Sequence, residues 1–216
     1  MKRYFLIFLS FFMIFVLNAC SPPPVSDSNI PTQSNTLIEE KHLSFEERRY
    51  TYTGEKNDIS IENDQLIIQS AGTYRLSGHL KEGALCIRVA PDENVRLILA
   101  GISVQSSLHA PLRIESAACV TLELERDCIN TFTDAPRTKE KKEDFLPISC
   151  IEIYSNLIVS GEGSMIISGR TACALACSES IFVESGQITV SALETGIWVR
   201  DRLHFQNGSL TVTSAQ

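Results

Sequence analysis

The chain has 216 residues, 44% of them hydrophobic and 21% charged, with a formal net charge of −7. That length supports one domain with a sizeable core. The acidic balance argues against nucleic acid as a partner, because neutralising phosphates needs a basic patch.

The first segment reads as an export leader. Lys2 and Arg3 precede an apolar run over residues 4–17, the charged and apolar regions of a secretory signal, too short to span a bilayer as a helix. The run closes Leu17-Asn18-Ala19-Cys20, which is similar to a bacterial lipobox. Residues 1–19 are therefore expected to be a signal peptide and Cys20 the site of lipidation (palmitate and related acyl chains). An ordinary signal peptide with an incidental cysteine is the alternative. Residues 20–36 are rich in Pro, Ser and Asn and should form a flexible tether holding the domain off a cell membrane or outer membrane. Without the two leader cations, the excess of acidic over basic residues widens from seven to nine.

Residues 37–58 are charged and weakly periodic, a lead-in or N-terminal cap holding a short helix or a first strand. From residue 59 to 216, apolar residues alternate with period two in short runs broken by Gly, Asn, Asp and Ser, the pattern of strands separated by turns. The pattern then repeats. The pairs Ile151/Ile153, Leu175/Cys177 and Ile197/Val199 step by 24 and 22 residues, as do Leu157, Ile181 and Leu203. Gly163, Gly186 and Gly208 step by 23 and 22. Earlier copies open on Ile87/Val89 and Leu112/Ile114, a step of 25. Such self-similarity marks a solenoid whose copies must stack to bury their apolar faces. Three short strands per coil of 22–25 residues predicts an all-β parallel β-helix over 59–216. A β-sandwich would not explain the constant step. A step of 39 from Leu112 to Ile151 places an insertion at 134–147, which carries two prolines and a KEKKED run and is expected to project as a solvated loop.

Seven cysteines are many for this length. With Cys20 acylated, Cys86, Cys119, Cys128, Cys150, Cys173 and Cys177 remain, and six thiols allow 15 pairings between which sequence does not choose. Cys150 and Cys173 fall near one edge of consecutive copies, while Cys177 takes an inward position suited to a small buried thiol.

Several stretches then match a known family. AGTYRLSGHL, ENVRLILAGISV, CINTFTDA followed by a variable loop, SNLIVSGEGSMIISG, ESGQITVSA and QNGSLTVTS occur in an order that resembles the bacterial carbohydrate-binding domain-containing proteins. The resemblance covers about residues 59–216. It implies a right-handed parallel β-helix, kinship with pectate lyases, and cellulose or polygalacturonate as ligand. It also implies calcium at acidic corners before the inward strands. Here those corners read Ala172-Cys173-Ala174-Leu175 and Glu194-Thr195-Gly196-Ile197, and calcium takes about six to eight oxygen ligands, so the expected acids are largely missing.

Period-two alternation assigns an outward column Arg88, Arg113, Glu152, Ala176, Trp198 and a second column Ala90, Glu115, Tyr154, Ser178, Arg200. Arg88, Arg113, Tyr154, Trp198 and Arg200 are the candidate glycan-binding strip, with rings to stack on sugars and guanidinium groups to hold carboxylates. Pairing of the arginines by Glu115 and Glu152 is the plainer alternative. A lyase would need a calcium-binding acid cluster, and arginine is a poor base. A glycosidase would need a facing carboxylate pair, and Glu115 and Glu152 fall in different columns. His79, His109 and His204 have no Ser or Cys partner at a recognisable spacing. The residues therefore favour non-catalytic binding of a polysaccharide, with an adhesin-like solenoid lacking a glycan ligand as the second reading. A chain ending on a complete copy also leaves a coil edge able to pair with another chain, which leaves two alternatives: the sequence is a fragment of a longer solenoid, or its C-terminal coil is open to self-association.

Overall fold

The computed structural model describes residues 39–137 and 146–215. The leader, Cys20, the tether and the centre of the insertion lie outside these residues. All described residues belong to one unit, 37–216.

They form nineteen strands and one 3₁₀ turn, Lys56–Asp58. The first coils are β1 (Glu40–Glu47) with β2 (Arg49–Tyr52), then β3 (Ile59–Glu62), β4 (Gln65–Ile68) and β5 (Gly72–Leu80), then β6 (Ala84–Arg88) and β7 (Asn94–Ser106). Regular three-strand coils follow. They are β8 (Leu112–Ser116), β9 (Cys119–Leu124), β10 (Ile129–Asp134); β11 (Ser149–Ile153), β12 (Asn156–Gly161), β13 (Ser164–Gly169); β14 (Cys173–Cys177), β15 (Ile181–Val183), β16 (Gln187–Ala192); and β17 (Thr195–Val199), β18 (Leu203–Phe205), β19 (Ser209–Ser214).

Apart from β2 and β3, which form antiparallel hairpins with β1 and β4, the strands pair in parallel with their equivalents one coil on. One ladder runs β17-β14-β11-β8-β6-β4, and two more run outward from the halves of β7 through β9-β12-β15-β18 and β10-β13-β16-β19. The architecture is all-β with long parallel sheets, consistent with a β-helix. The reason is legible in one inward column: Tyr74, Leu97, Leu122, Val159, Val183 and Phe205 are register partners in turn, and all but Phe205 are buried. Each interior side chain of this size contributes about 1.5–3 kcal/mol, and no coil could bury its column alone. Inward Leu203, Phe205 and Val212 of the last coil are exposed.

Three features depart from the sequence expectation. First, the stack starts before residue 59, because β1 pairs in parallel with β5 and turns back on itself through β2. Second, the early coils have fewer strands: β5 and β7 run through the corner at Gly78 and Gly101, which take φ of +87° and +78°. Third, the register at β6 is Leu85 with Leu112 and Ile87 with Ile114, not Ile87/Val89 with Leu112/Ile114. The slip is two residues, so inward and outward faces are preserved. Arg88 moves one position along, past a register shift that sets it opposite Ser116, and Cys86 takes its place beside Arg113.

Candidate functional site

The outward column therefore reads Ile67, Cys86, Arg113, Glu152, Ala176, Trp198. Much of it is covered rather than open. Every residue of β11 and β14 is buried. Leu146 lies against Cys173 and Ala176, with Tyr154 and Trp198 packed at its sides. The described ends of the insertion thus fold onto the sheet instead of projecting from it. The other end is tied down by Asp134, which accepts hydrogen bonds from Arg170 N at 2.5 Å and Thr171 Oγ1 at 2.7 Å. Arg137 Nη2 donates to Ser149 O at 2.7 Å and lies 3.3 Å from Asp134.

Arg113 is the hub of the uncovered part. Its Nη1 donates to Glu152 Oε2 at 2.6 Å and its Nε to Glu115 Oε1 at 3.1 Å. Its guanidinium sits 5.1 Å from the centroid of the Tyr154 ring, within cation–π reach. Burial works against the Arg113 charge, but Glu152, Tyr154 and Glu115 together hold its pKa above the ordinary value. Burial likewise favours a neutral Glu115, yet Arg88 and Arg113 hold its carboxyl below the usual range. Arg88 donates to Glu115 at 2.7 Å and to Glu62 at 3.1 Å, and Arg200 donates to Glu179 at 2.9 Å.

The structure brings Arg113 and Tyr154 into contact and links Arg88 to them through Glu115. Trp198 packs with Tyr154 against the Leu146, Cys173 and Ala176 cluster, and Arg200 is held by its own partner, Glu179. None of the three arginines presents a guanidinium without a carboxylate, so the strip is an ion-pair network with its carboxylates built in. Beside Arg113 the face opens into a groove of about 550 Å³, lined by Gln65, His109, Glu115, Arg137 and Glu152 among others. His109 and Arg137 were not legible as site residues. His109 arrives on the turn between β7 and β8, and Arg137 on the insertion, both placed here by coil stacking.

The corner at Ala172 does not suit a calcium ion. Ala172 O accepts from both Glu194 N and Thr195 N, at 2.9 and 3.2 Å. Ala172 and Cys173 are buried and supply no side-chain oxygen. Among the described residues, no three His, Cys, Asp or Glu side chains are grouped to hold a metal. The six cysteines from Cys86 to Cys177 are all free thiols. The Cys150–Cys173 pairing fails on register, because Ser149 is the partner of Cys173. Cys150 belongs to the main core and Cys173 to the outer cluster. Cys177 is buried in the core, as its inward position implied.

Fold and groove together define a parallel β-solenoid with a polar groove on one face. The carbohydrate-binding domain-containing protein family matches residues 62–216, well over half of the chain, and the chain belongs to that family. A carbohydrate-binding domain-containing protein of Acetivibrio thermocellus is 26% identical over 135 residues, which cover 62% of this chain and 47% of that protein. The chain thus spans about half the length of this curated relative. The structure of the polysaccharide lyase-like protein from C. thermocellum, a gadolinium derivative, is similar at a TM-score of 0.71 and 19% identity, over 82% of this chain and 84% of that one. At that identity the likeness shows the fold, a polysaccharide lyase-like one.

Proposed function

We propose that the chain binds a polysaccharide without cleaving it, through the groove beside Arg113. The observation that carries this is the arrangement of Arg113 over Tyr154, between Glu115 and Glu152, at the edge of an open groove. Guanidinium donors and carboxylate acceptors fixed by their own pairing are pre-organised to exchange hydrogen bonds with hydroxyl groups. Family membership supports the ligand class. Of the five strip residues, Arg113 lines the groove and is the proposed contact, and Tyr154 positions its guanidinium. Arg88, Trp198 and Arg200 are engaged with their own partners, and the reading does not rest on them.

Retention on insoluble cellulose and on immobilised polygalacturonate tests it. Wild type is expected to be retained on at least one, and Arg113→Met at least tenfold less, with its β-sheet circular dichroism unchanged. Retention on neither matrix would sink the reading and leave the adhesin-like solenoid. Growth of unsaturated-uronate absorbance on polygalacturonate with calcium would replace binding by lyase action.

The export leader and lipidation of Cys20 complete the proposal: a lipoprotein held at the cell envelope by its acyl chains. Cys20→Ser should leave the protein outside the detergent phase on Triton partition. Equal partition of the variant and wild type would remove the anchor.

A further inference from the structure

We infer that the hollow at the β1–β2 end of the stack is a second carbohydrate subsite, which takes the next rings of a neutral glycan lying in the groove. This rests on the groove being a glycan site, and it decides which way the chain runs.

The hollow measures about 280 Å³, at the lower edge of the range for small-molecule sites, about 300–1,000 Å³. Around it stand three large apolar side chains exposed to solvent: Tyr50 at 38%, Ile61 at 56% and Leu108 at 67%. Between them come Arg48, Asp64 and Glu82. A sugar ring offers a C–H face and a rim of hydroxyls, and this lining answers both, with apolar surface for the face and fixed acceptors and a donor for the rim.

The walls are held in place. Asn63 and Asp64 turn β3 into β4 with φ of 50° and 61°, the left-handed pair of a tight hairpin. His109 Nε2 lies 3.0 Å from Asn63 O, and Ser107 Oγ donates to Glu82 Oε2 at 2.7 Å. These two contacts fasten the turn after β7 to the hollow's rim. That same turn borders the groove, and Gln65, Leu108 and His109 line both spaces. A chain seated beside Arg113 therefore passes over Leu108 and His109 into the hollow. In the opposite direction, toward Trp198, Leu146 packs on Cys173 and Ala176.

Charge selects the ligand class. Among the described residues, Arg48, Arg113 and Arg137 face Asp64, Glu82, Glu115 and Glu152 across the combined surface. Arg113 and Arg137 are already bonded to groups of this chain. With His109 the bases number four against four acids, so the surface offers no excess of positive charge to hold a row of uronate carboxylates, and a neutral chain needs none.

Titration calorimetry with cello-oligosaccharides of two to six rings, and with oligogalacturonides of equal length, tests this. For wild type, affinity is expected to rise with length for the neutral series and to exceed that for the uronates. Ile61→Asp and Tyr50→Ala, both at exposed positions that line the hollow and not the groove, should weaken the six-ring ligand at least tenfold and leave the shortest binder unchanged. Trp198→Ala should bind as wild type does. Six-ring affinity unchanged in both hollow variants but lost in Arg113→Met would overturn the subsite and leave the groove standing. Tighter binding of the uronates would overturn the neutral class. Binding of neither series, together with no retention on the polymers, would remove the groove reading itself.

Discussion

Asn130 spans the core from β10 to the corner of β7. Its Oδ1 accepts the backbone N–H groups of Gly101 and Ile102 at 2.9 and 3.1 Å, and its Nδ2 donates to Ser164 O at 3.1 Å. Asn130 is fully buried in an otherwise apolar column, with Ile102 on the preceding coil and Met165 on the next. The corner at Gly101 bends the strand, and Asn130 satisfies the N–H groups left there. Asn130→Leu fills the space with an apolar side chain and abandons those groups. A loss of about 1–3 kcal/mol is expected on urea unfolding, although the substitution makes the core more apolar. An unchanged midpoint would show that the corner does not need the amide.

Two glycine corners should respond differently to alanine. A Cβ on Gly161 would lie 2.2 Å from Leu124 O, at φ +103°, whereas one on Gly101 meets nothing within 4 Å, at φ +78°. Gly101→Ala should cost only the left-handed strain, about 1–2 kcal/mol. Gly161→Ala must also push apart two coils and should cost clearly more. Thermal unfolding of the two variants side by side checks the order.

Arg113 and Glu152 should be strongly coupled. Glu152 is 3% exposed at its side chain and Arg113 21%, so their bond is formed largely out of water. A double-mutant cycle with Arg113→Met and Glu152→Gln is expected to give a coupling of about 1.5–3 kcal/mol. The more exposed pair Arg88–Glu62, at 44% and 52%, should give about 0–1 kcal/mol. Equal couplings would contradict the burial argument.

Acid should loosen the β1–β2 end. Asp58 accepts from Tyr52 Oη at 2.7 Å and Glu55 N at 3.0 Å, and it pairs with Lys41 at 3.0 Å. Burial alone would raise its pKa, but Tyr52, Lys41 and Ser70 hold it below the ordinary value. A carboxyl depressed in the folded state contributes stability above its unfolded pKa of about 3.9, and that contribution is lost as pH falls through the lower folded value. Stability should therefore drop below about pH 4. Asp58→Asn should flatten that dependence and lower stability at pH 7 by about 1.5–3 kcal/mol.

The thiols should differ in reactivity. Burial first, then Glu115, pushes Cys86 up to about 12, and burial pushes Cys177 up to about 11. Among the described cysteines, Cys119 and Cys128 are the two partly exposed ones. Alkylation at pH 8 should label these two first and reach Cys86 and Cys177 only on unfolding. Early labelling of Cys86 would show that the Arg113 face opens readily.

The coil architecture was readable from the chain because it is written in period two and period 22–24. The registers of β8, β11, β14 and β17 at Leu112, Ile151, Leu175 and Ile197 are those the repeat implies. Where the repeat was irregular, at β6, two apolar alignments had the same parity, and only stacking chose between them. The CINTFTDA stretch shows the same division. Its Asn130 and Asp134 stand out in sequence, but their roles are structural: one fastens a corner inside the core and the other anchors the insertion.

Sequence alone thus determined which side chains face inward, since strand alternation is local. It also named Arg113 and Tyr154 as outward neighbours. It offered Glu115 and Glu152 as partners of the arginines, and tertiary structure decided for that alternative at Arg113. Tertiary structure alone decided that Leu146 packs on Cys173 and Ala176 beside Trp198 and that His109 and Arg137 border the groove. These residues are separated by up to 89 positions, from His109 to Trp198. They meet because each coil returns the chain to within one strand spacing, about 4.8 Å, of where it passed before.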